Sequence, residues 1–412
     1  MNTETKTSSM EVGSNCPYAG YRLMREQSAV TEVQPGVYAV TRYDDVKAVL
    51  SDPQTFSARI GDNKSFAFFG PSPVQDRIDE IMRDYPEEPV LMRTDPPLHT
   101  RVRALVNCAL TPAEVRKIEP QIQTIVEELA APWLQRGEVE FSGEFASLLP
   151  NAVTTSFLGS PPAMREHFRF WAHEVMSRFD GPQSPERQLE VAQHIVDMAH
   201  YFYDEIEARR RQPNGDLVSL LAHAEIDGDR LDNPSIVNVI QTFLIGGHET
   251  TTFTLGNSLH YLARDPDMAA RLRNDPALIP TFVDEILRIE SPTQSLQRSP
   301  TRDVEIGGVT VPAGALLLVY LASANRDENF FAEPDTFKFD RIGTNTSRHV
   351  AFGYGVHSCL GLRLARAEVQ IALAYLLPRM HDIKLAGSDP ISYINNFVLR
   401  GPIRLMLSYA PA

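Results

Sequence analysis

The chain has 412 residues, of which 43% are hydrophobic and 22% are charged, and this composition excludes a disordered or collagen-like protein. Aspartate and glutamate outnumber lysine and arginine by 53 to 39, which gives a formal net charge of −14. A chain this acidic is poorly suited to bind nucleic acid, because phosphate binding needs a basic surface.

Cysteine usage and the apolar stretches indicate the cellular compartment. Cys16, Cys108 and Cys359 are too few and too scattered for a disulfide framework, which favours a reducing environment. Residues 1–15 are polar, have no apolar stretch of signal-peptide type and predict a flexible N-terminus. The most apolar internal stretch, 313–324, is shorter than the roughly 20 residues that a membrane span needs. We therefore expect a cytoplasmic monomer that does not bind membranes.

The N-terminal half predicts mostly helices, to about residue 211. A short strand followed by a short helix is expected within 36–52, and Thr111-Pro112 has the N-cap and first-turn proline of a helix start. Between them, the irregular stretch 57–94 is either a functional lid or a poorly packed loop. Its aromatic residues include Phe66, Phe68 and Phe69.

The longest predicted helix begins at Asn233-Pro234 and continues to about Arg264. Its apolar pattern is broken only at Gly246-Gly247. Because the segment is apolar on most faces, it should cross the core of a large helical domain.

The C-terminal part mixes short strands with one strong helix at 360–377. Gly307-Gly308 is the predicted turn of a hairpin, 316–322 is either a buried strand or a helix, and 395–410 predicts a terminal hairpin. Strands do not alternate with helices, so a Rossmann or TIM-barrel fold is disfavoured. The expected fold is mainly α with small antiparallel β-sheets, in a single domain over residues 1–412.

The segment 352–361, FGYGVHSCLG, has the composition of a functional loop. Gly353 and Gly355 permit a tight turn. Cys359 directly precedes a predicted helix, whose N-terminus would stabilise a thiolate. On these residues alone, Cys359 is a nucleophile, a metal ligand or a buried structural cysteine.

Zinc fits neither of the two segments that resemble a metal site. His357-x-Cys359 offers two ligands, but the other cysteines are distant in sequence, and a Cys₄ site is impossible with three cysteines. The segment 246–252, GGHETTT, begins like a zinc-protease motif. Thr252 stands where that motif needs its second histidine, so the motif fails.

Taken together, the segments resemble the cytochrome P-450 family of haem-thiolate monooxygenases in its soluble bacterial form, over nearly the whole chain. FGYGVHSCLG is similar to the family's haem-binding loop, and GGHETT is similar to its oxygen-activating helix. Glu285 and Arg288 fit the family's E-x-x-R pair. FKFDR at 337–341 fits the segment whose arginine joins that pair, and DPPLHTRVR at 95–103 fits the helix that reaches the haem propionates.

The resemblance implies haem b as the cofactor, between the long central helix and the helix after the cysteine loop. Cys359 would be the axial thiolate ligand, which pushes electron density onto the iron. Glu249 and Thr250 would assist the delivery of protons during oxygen activation. The residues implied to contact the porphyrin or its propionates are His99, Arg103, Arg298, Phe352, Gly353 and His357.

A hydrophobic small-molecule substrate is expected above the haem, in a pocket with few polar groups. Thr242 and Gln294 are the candidate polar anchors, because each could hydrogen-bond a substrate oxygen. The expected pocket residues are Phe66, Phe68, Phe69, Val90, Met92, Thr242, Ile245, Gly246, Gln294, Phe397 and Val398.

The implied reaction is hydroxylation, in which one oxygen atom of O₂ enters the substrate. We find no G-x-G-x-x-G dinucleotide motif, so two electrons from NAD(P)H would arrive through a separate ferredoxin- or flavodoxin-type donor with its reductase. A basic patch expected to dock this donor comprises Arg101, Arg116, Lys117, Arg348, Arg363 and Arg366. A peroxide-driven or substrate-coupling haem-thiolate enzyme and a haem sensor or carrier remain alternatives.

Overall fold

The computed structural model describes residues 16–60, 72–87, 91–178, 183–341, 348–387, 391–394 and 396–412. The N-terminus 1–15, expected to be flexible, lies outside these ranges, as do Phe66, Phe68, Phe69 and Val90. The helices are α1 (Tyr18–Gln27), α2 (Tyr43–Ser51), α3 (Gln75–Ile81), α4 (Leu98–Ala109), α5 (Pro112–Ala130), α6 (Leu148–Phe157), α7 (Arg165–Ser177), α8 (Pro185–Arg211), α9 (Leu217–His223), α10 (Asn233–Arg264), α11 (Pro266–Asn274), α12 (Ile279–Ile289), α13 (Leu321–Ala324) and α14 (Leu362–Leu376).

Side-chain caps mark the starts of the three long helices α5, α8 and α10. The Thr111 hydroxyl accepts a hydrogen bond from the Glu114 amide at 3.2 Å, and Ser184 and Asp232 cap α8 and α10 in the same way. Proline follows each cap within the first turn, where its missing N–H leaves no helix bond unmade. The predicted helix starts at 112 and 233 are confirmed.

Helix α10 is continuous over 32 residues, which corresponds to about 48 Å. It packs against α6, α7 and α14, so it crosses the core as predicted. Gly246-Gly247 interrupts its apolar pattern but not its backbone. The helix thereby carries Glu249 and Thr250 into the middle of the molecule.

Twelve short strands occur in the described residues: β1 (Val30–Gln34), β2 (Val37–Val40), β3 (Phe56–Ser57), β4 (Glu138–Glu140), β5 (Glu225–Ile226), β6 (Asp229–Arg230), β7 (Ser295–Pro300), β8 (Val304–Ile306), β9 (Val309–Val311), β10 (Leu316–Tyr320), β11 (Met380–Leu385) and β12 (Met406–Pro411). The largest sheet has the order β1-β2-β10-β7-β3. Its β2–β10 pair is parallel and its other pairs are antiparallel. Strand β7 is therefore flanked on both sides, which fixes the position of Arg298 opposite Leu317.

The short strand and the short helix predicted within 36–52 are β2 and α2. Of the other predicted β elements, two match the structure and one does not. Gly307 and Gly308, both with positive φ, form the turn between β8 and β9, and 316–320 is the strand β10, followed by the one-turn helix α13. The terminal hairpin is wrong in its pairing. The chain does reverse within 392–403, but β12 pairs with the distant strands β11 and β4.

The irregular stretch 57–94 contains regular structure in its described part. Helix α3 lies within it, and Leu91–Arg93 forms a single 3₁₀ turn. Charged residues fill much of α3, and only Ile78 of this helix is buried. The helical repeat of apolar residues is therefore too weak to predict this short helix from the sequence.

Strand β10, helix α2 and the segment before the cysteine loop share one apolar cluster. Tyr43, Leu50 and Val350 are buried in it. The Tyr43 hydroxyl donates to the Arg348 carbonyl at 2.6 Å, and the Val350 amide donates to the Asn325 side chain at 2.7 Å. These contacts anchor the start of the loop on the sheet side of the molecule.

Candidate active site

The cysteine loop is held by its own backbone and by a close approach to α2. The Cys359 amide donates to the Phe352 carbonyl at 2.8 Å, which closes the loop. Gly353 and Gly355 both have φ +70, in the left-handed region that favours glycine. A Cβ atom at Gly355 would lie 2.4 Å from the Leu50 carbonyl oxygen, so no larger residue fits there without moving α2.

The Cys359 sulfur lies at the N-terminus of α14. Burial raises the pKa of the Cys359 thiol, while the backbone N–H groups of Gly361 and Leu362 and the charge of Arg103 act in the opposite direction. Those N–H groups stabilise negative charge on sulfur. A metal cation at the sulfur would tip the balance to the thiolate, because a coordinating thiol is deprotonated outright. The geometry therefore suits a thiolate metal ligand.

Four cationic or hydrogen-bonding side chains from three elements gather beside this loop: His99 and Arg103 on α4, Arg298 on β7, and His357 in the loop itself. The rings of His99 and His357 are 4.0 Å apart between centroids. Arg298 is only 6% exposed. Within the described residues, no carboxylate forms an ion pair with Arg103 or Arg298.

The imidazoles of His99 and His357 are neutral, and three of their ring nitrogens have no hydrogen-bond partner among the described residues. Burial and the charges of Arg103 and Arg298 lower the pKa of His99 to about 4, although Asp95 acts in the opposite direction. Burial and Arg298 lower the pKa of His357 to about 3. Both ring nitrogens of His99 and Nε2 of His357 are buried without a hydrogen-bond partner among the described residues.

Unpartnered buried donors and cations are costly unless a ligand satisfies them. Burial also lowers the pKa of Arg298, to about 10, which reflects the cost of its unneutralised charge. A ligand with two carboxylates would supply the missing acceptors and charges. This donor set therefore fits the two propionates of haem, as the resemblance implied.

The middle of α10 provides open space beside a hydroxyl and an acid. A Cβ atom at Gly246 would meet nothing within 4 Å, which is unusual for a helix that crosses the core and suits the approach of a bulky ligand. The Thr250 hydroxyl donates to the Gly246 carbonyl at 2.8 Å. The glycine and the threonine are thus linked across one helical turn.

Glu249 faces a cavity of about 520 Å³ between α10 and α7. Ile245 and His248 also line it from α10, and Arg169 and His173 line it from α7. Burial and the Arg169 charge lower the pKa of His248 to about 4, so this histidine is neutral at neutral pH. Arg169 and His173 carry no signal in the sequence beyond their i, i+4 spacing on α7.

The E-x-x-R pair and its third member form a buried network at α12. The Glu285 carboxylate accepts from Arg288 at 2.7 and 2.8 Å and from Arg341 at 2.9 Å. Arg288 also donates to the backbone carbonyls of Asn325 and Pro334. The sequence therefore identified a true structural cluster, which holds 325–341 against α12.

The residues expected to line the substrate pocket differ in their exposure and in their hydrogen-bond partners. The Thr242 hydroxyl donates to the Asn238 carbonyl at 2.8 Å, within α10. Met92 and Phe397 are exposed. The backbone amide of Gln294 donates to the Val398 carbonyl at 2.7 Å, which brings these two expected pocket residues together.

Gln294 is corrected as a candidate substrate anchor. Its side chain is buried, its Oε1 accepts from the Tyr21 hydroxyl at 3.0 Å, and its Nε2 donates to the Ser291 carbonyl at 2.6 Å. The amide thus already serves as a link between α1 and the start of β7. Sequence reasoning could not see this, because Tyr21 is 273 residues away.

No cluster of three or more His, Cys, Asp or Glu side chains that could hold a metal ion occurs in the described part of the chain. None of the helices in the described ranges has both the length and the apolar character needed to cross a bilayer.

Comparison with known proteins gives a consistent result. The family model for cytochrome P450 matches residues 34–402. Cytochrome P450 107B1 of Saccharopolyspora erythraea is 37% identical over 376 residues, covering 88% of this chain and 87% of that protein. The vitamin D(3) 25-hydroxylase of Pseudonocardia autotrophica is 33% identical over 403 residues, covering 96% and 94%.

A solved structure agrees with these sequence relatives. Cytochrome P450 CYP109Q5 from Chondromyces apiculatus superposes with a TM-score of 0.84 at 33% identity, over 98% of both chains. The mainly α fold with small sheets is thus the P450 fold. The chain belongs to the cytochrome P450 family of haem b-dependent monooxygenases.

Proposed function

We propose that this monooxygenase hydroxylates a hydrophobic small molecule and receives its electrons from NAD(P)H through a separate ferredoxin- or flavodoxin-type donor. The observation that supports this proposal most strongly is the cysteine loop. The backbone amides of Gly361 and Leu362 face the Cys359 sulfur, and the ring nitrogens of His99 and His357 that lack partners lie beside the loop and suit propionates. When bound, haem b supplies the activation of O₂ and the transfer of one oxygen atom. Cys359 would hold its iron through the thiolate.

The chain's own residues hold and orient the cofactor. Arg103 and Arg298 provide two positive charges for two carboxylates, and the neutral His99 and His357 provide N–H donors. Phe352 and the adjacent Gly353 would pack against the porphyrin, and the lack of a side chain at Gly353 would allow close approach. This cradle excludes water from the thiolate side of the site.

Thr250 and Glu249 move protons on the opposite side. The Thr250 hydroxyl donates to the Gly246 carbonyl at 2.8 Å, and by turning away from that carbonyl it would donate its proton into the open space beside Gly246 instead. Glu249 borders both Thr250 in sequence and the cavity at α7, so it takes up protons from that side. A positioned acid of this kind typically contributes a factor of about 10²–10⁴ in rate.

The substrate class follows from the apolar pocket residues and from the relatives. The vitamin D(3) 25-hydroxylase relative acts, by its name, on a large apolar molecule. With Gln294 engaged elsewhere, Thr242 is the remaining candidate for a polar contact. We therefore assign a largely apolar substrate held by shape, with Ile245 and Val398 among its contacts.

The assignment is tested by turnover of the purified holoenzyme. A ligand screen for the low- to high-spin shift of the haem first identifies a compound that displaces the iron-bound water. That compound should then be hydroxylated when NAD(P)H, ferredoxin and reductase are present, and not when any one is omitted. Turnover with peroxide alone would favour the peroxide-driven alternative, and binding without product would favour a sensor or carrier.

The basic patch expected to dock the donor is partly neutralised. Arg101, Lys117 and Arg366 pair with Asp229, Glu114 and Asp284. The members that remain exposed without an ion pair among the described residues are Arg116, Arg348 and Arg363. Exposed Tyr354 and Val356 lie in the loop between them in sequence. We propose that these three arginines receive an acidic iron–sulfur or flavin protein.

The rate of reduction by the donor should fall as ionic strength rises. Salt screens exposed charges beyond a Debye length of roughly 10 Å at 0.1 M, so electrostatic steering weakens. Stopped-flow reduction across a salt series measures this, and Arg363→Gln should flatten the dependence. A rate that does not respond to salt would remove the patch from the docking surface.

The free thiols Cys16, Cys108 and Cys359 are compatible with a reducing compartment. We accordingly assign the enzyme to the cytoplasm, as a monomer that meets its donor in solution.

A further inference from the structure

Behind Phe352, two helices and the segment before the cysteine loop bring together an anion, a cation and a buried imidazole. Asp284 lies on α12, Arg366 lies on α14, and His349 precedes the loop. The Arg366 Nε donates to the Asp284 carboxylate at 2.7 Å. The Arg366 guanidinium lies 4.8 Å from the centroid of the Phe352 ring, at cation–π distance.

His349 closes the cluster from the other side. Its side chain is 3% exposed. The Ala351 amide donates to His349 Nδ1 at 3.3 Å, which leaves Nε2 as the ring nitrogen that can donate. That nitrogen faces the Asp284 carboxylate at 3.8 Å. Burial of Asp284 acts against its ionisation, but His349 and Arg366 together hold the pKa of the Asp284 carboxyl below its usual range.

The cluster acts at the sulfur through charge and through packing. Arg366 lies on α14, seven residues after Cys359, and its guanidinium stands over the ring of Phe352. The Phe352 ring under Arg366 belongs to the residue whose carbonyl accepts from the Cys359 amide. Arg366 therefore influences both the field at the thiolate and the position of the loop that carries it.

We propose that Arg366, held in place by Asp284, is a positioning residue that sets the reduction potential of the haem bound at Cys359. The proposal rests on the proposed function, in which Cys359 is the axial ligand. A nearby cation stabilises the more negative, reduced state, and hydrogen bonds and charges around the ligand sulfur are known levers on such potentials. Asp284 moderates the effect, because its negative charge partly cancels that of Arg366.

This arrangement predicts potential shifts of opposite sign for two variants. In Arg366→Gln the cation is removed, so the midpoint potential of the substrate-free holoenzyme should become more negative. In Asp284→Asn the cation remains and its counter-charge is lost, so the potential should become less negative. Spectroelectrochemical titration measures both. Loss of packing alone would move the two variants in the same direction, which would overturn the proposal.

The matched control is Arg363→Gln, on the same helix and with the same change in formal charge. Arg363 is exposed to solvent, so screening should keep its shift several times smaller than that of Arg366→Gln. Equal shifts in the two variants would also overturn the proposal. Arg366→Lys keeps the charge but loses the planar stacking, so its potential should stay near that of the wild type while its thermal unfolding temperature falls.

The experiment separates this proposal from the proposed function. The absorption band of the reduced CO complex reports the thiolate ligand and should stay at its red-shifted position in all four variants. A wild-type protein without that band would contradict the assignment of Cys359. An intact band with potentials that do not move would contradict only the role of Arg366. If Arg366→Gln does not retain haem, Asp284→Asn and Arg366→Lys decide the question.

Discussion

Cys359→Ser is expected to abolish both monooxygenation and the red-shifted absorption band of the reduced CO complex. Serine removes the thiolate, and with it the electron donation that favours O–O cleavage. The Gly361 and Leu362 amides would then face a neutral hydroxyl. Difference spectra of the dithionite-reduced protein with and without CO measure the first effect, and product formation with a complete electron-transfer chain measures the second.

Cys108→Ser is the matched control for this experiment. Cys108 is exposed on α4, where its sulfur donates to the Ala104 carbonyl of its own helix at 3.4 Å. Its replacement should leave the band and the turnover at wild-type values. The ligand assignment would be wrong if Cys359→Ser kept the band while Cys108→Ser lost it.

Thr250→Ala is expected to uncouple electron use from product formation. NAD(P)H should still be consumed, hydrogen peroxide should be released, and product per electron pair should fall, because a positioned proton donor is lost. Substrate binding should change little, since the methyl group of alanine leaves the apolar surroundings intact. Parallel measurement of NAD(P)H, peroxide and product in one reaction gives the coupling ratio.

Two variants on the same helix sharpen this test. Thr250→Ser keeps a hydroxyl one bond from Cβ and should retain most of the coupling. Thr254→Ala removes a hydroxyl that donates to the Thr250 carbonyl at 2.7 Å, one turn further along and buried, and should leave the coupling ratio unchanged. Unchanged coupling in Thr250→Ala would exclude its hydroxyl from the mechanism.

Local signals in the sequence were sufficient for the long helices. The start of α5 could be predicted because a threonine hydroxyl can cap a free backbone amide and the proline after it has no N–H to satisfy. The course of α10 could be predicted from its apolar faces. The pairing of β12 could not be predicted in this way. Its alternation predicts a strand, but the partner is chosen by packing with β11 and β4, and β4 is more than 200 residues away in sequence.

In the candidate site, too, features set by local sequence could be predicted and contacts between distant segments could not. The loop around Cys359 was evident because two glycines, a histidine and a cysteine at fixed spacing have few structural explanations. The contact between the rings of His99 and His357 was not evident, because it joins α4 to the loop across the fold. Gln294 was misjudged for the same reason, since Tyr21 comes from the other end of the chain.

The neutral state of His99 and His357, whose rings are in contact, has a thermodynamic consequence. Since His99 and His357 carry no charge at neutral pH, Arg103 and Arg298 alone carry the formal charge among the four expected propionate partners, two positive charges for two negative ones. The two propionates and these four partners would thus form a nearly electroneutral group, and without the haem the fold must bear two largely uncompensated, partly buried cations. By linkage, a ligand that binds only the folded chain adds about 4 kcal/mol to its stability at 1,000 times its dissociation constant. The cofactor is therefore a structural component of this protein as well as its reactive centre.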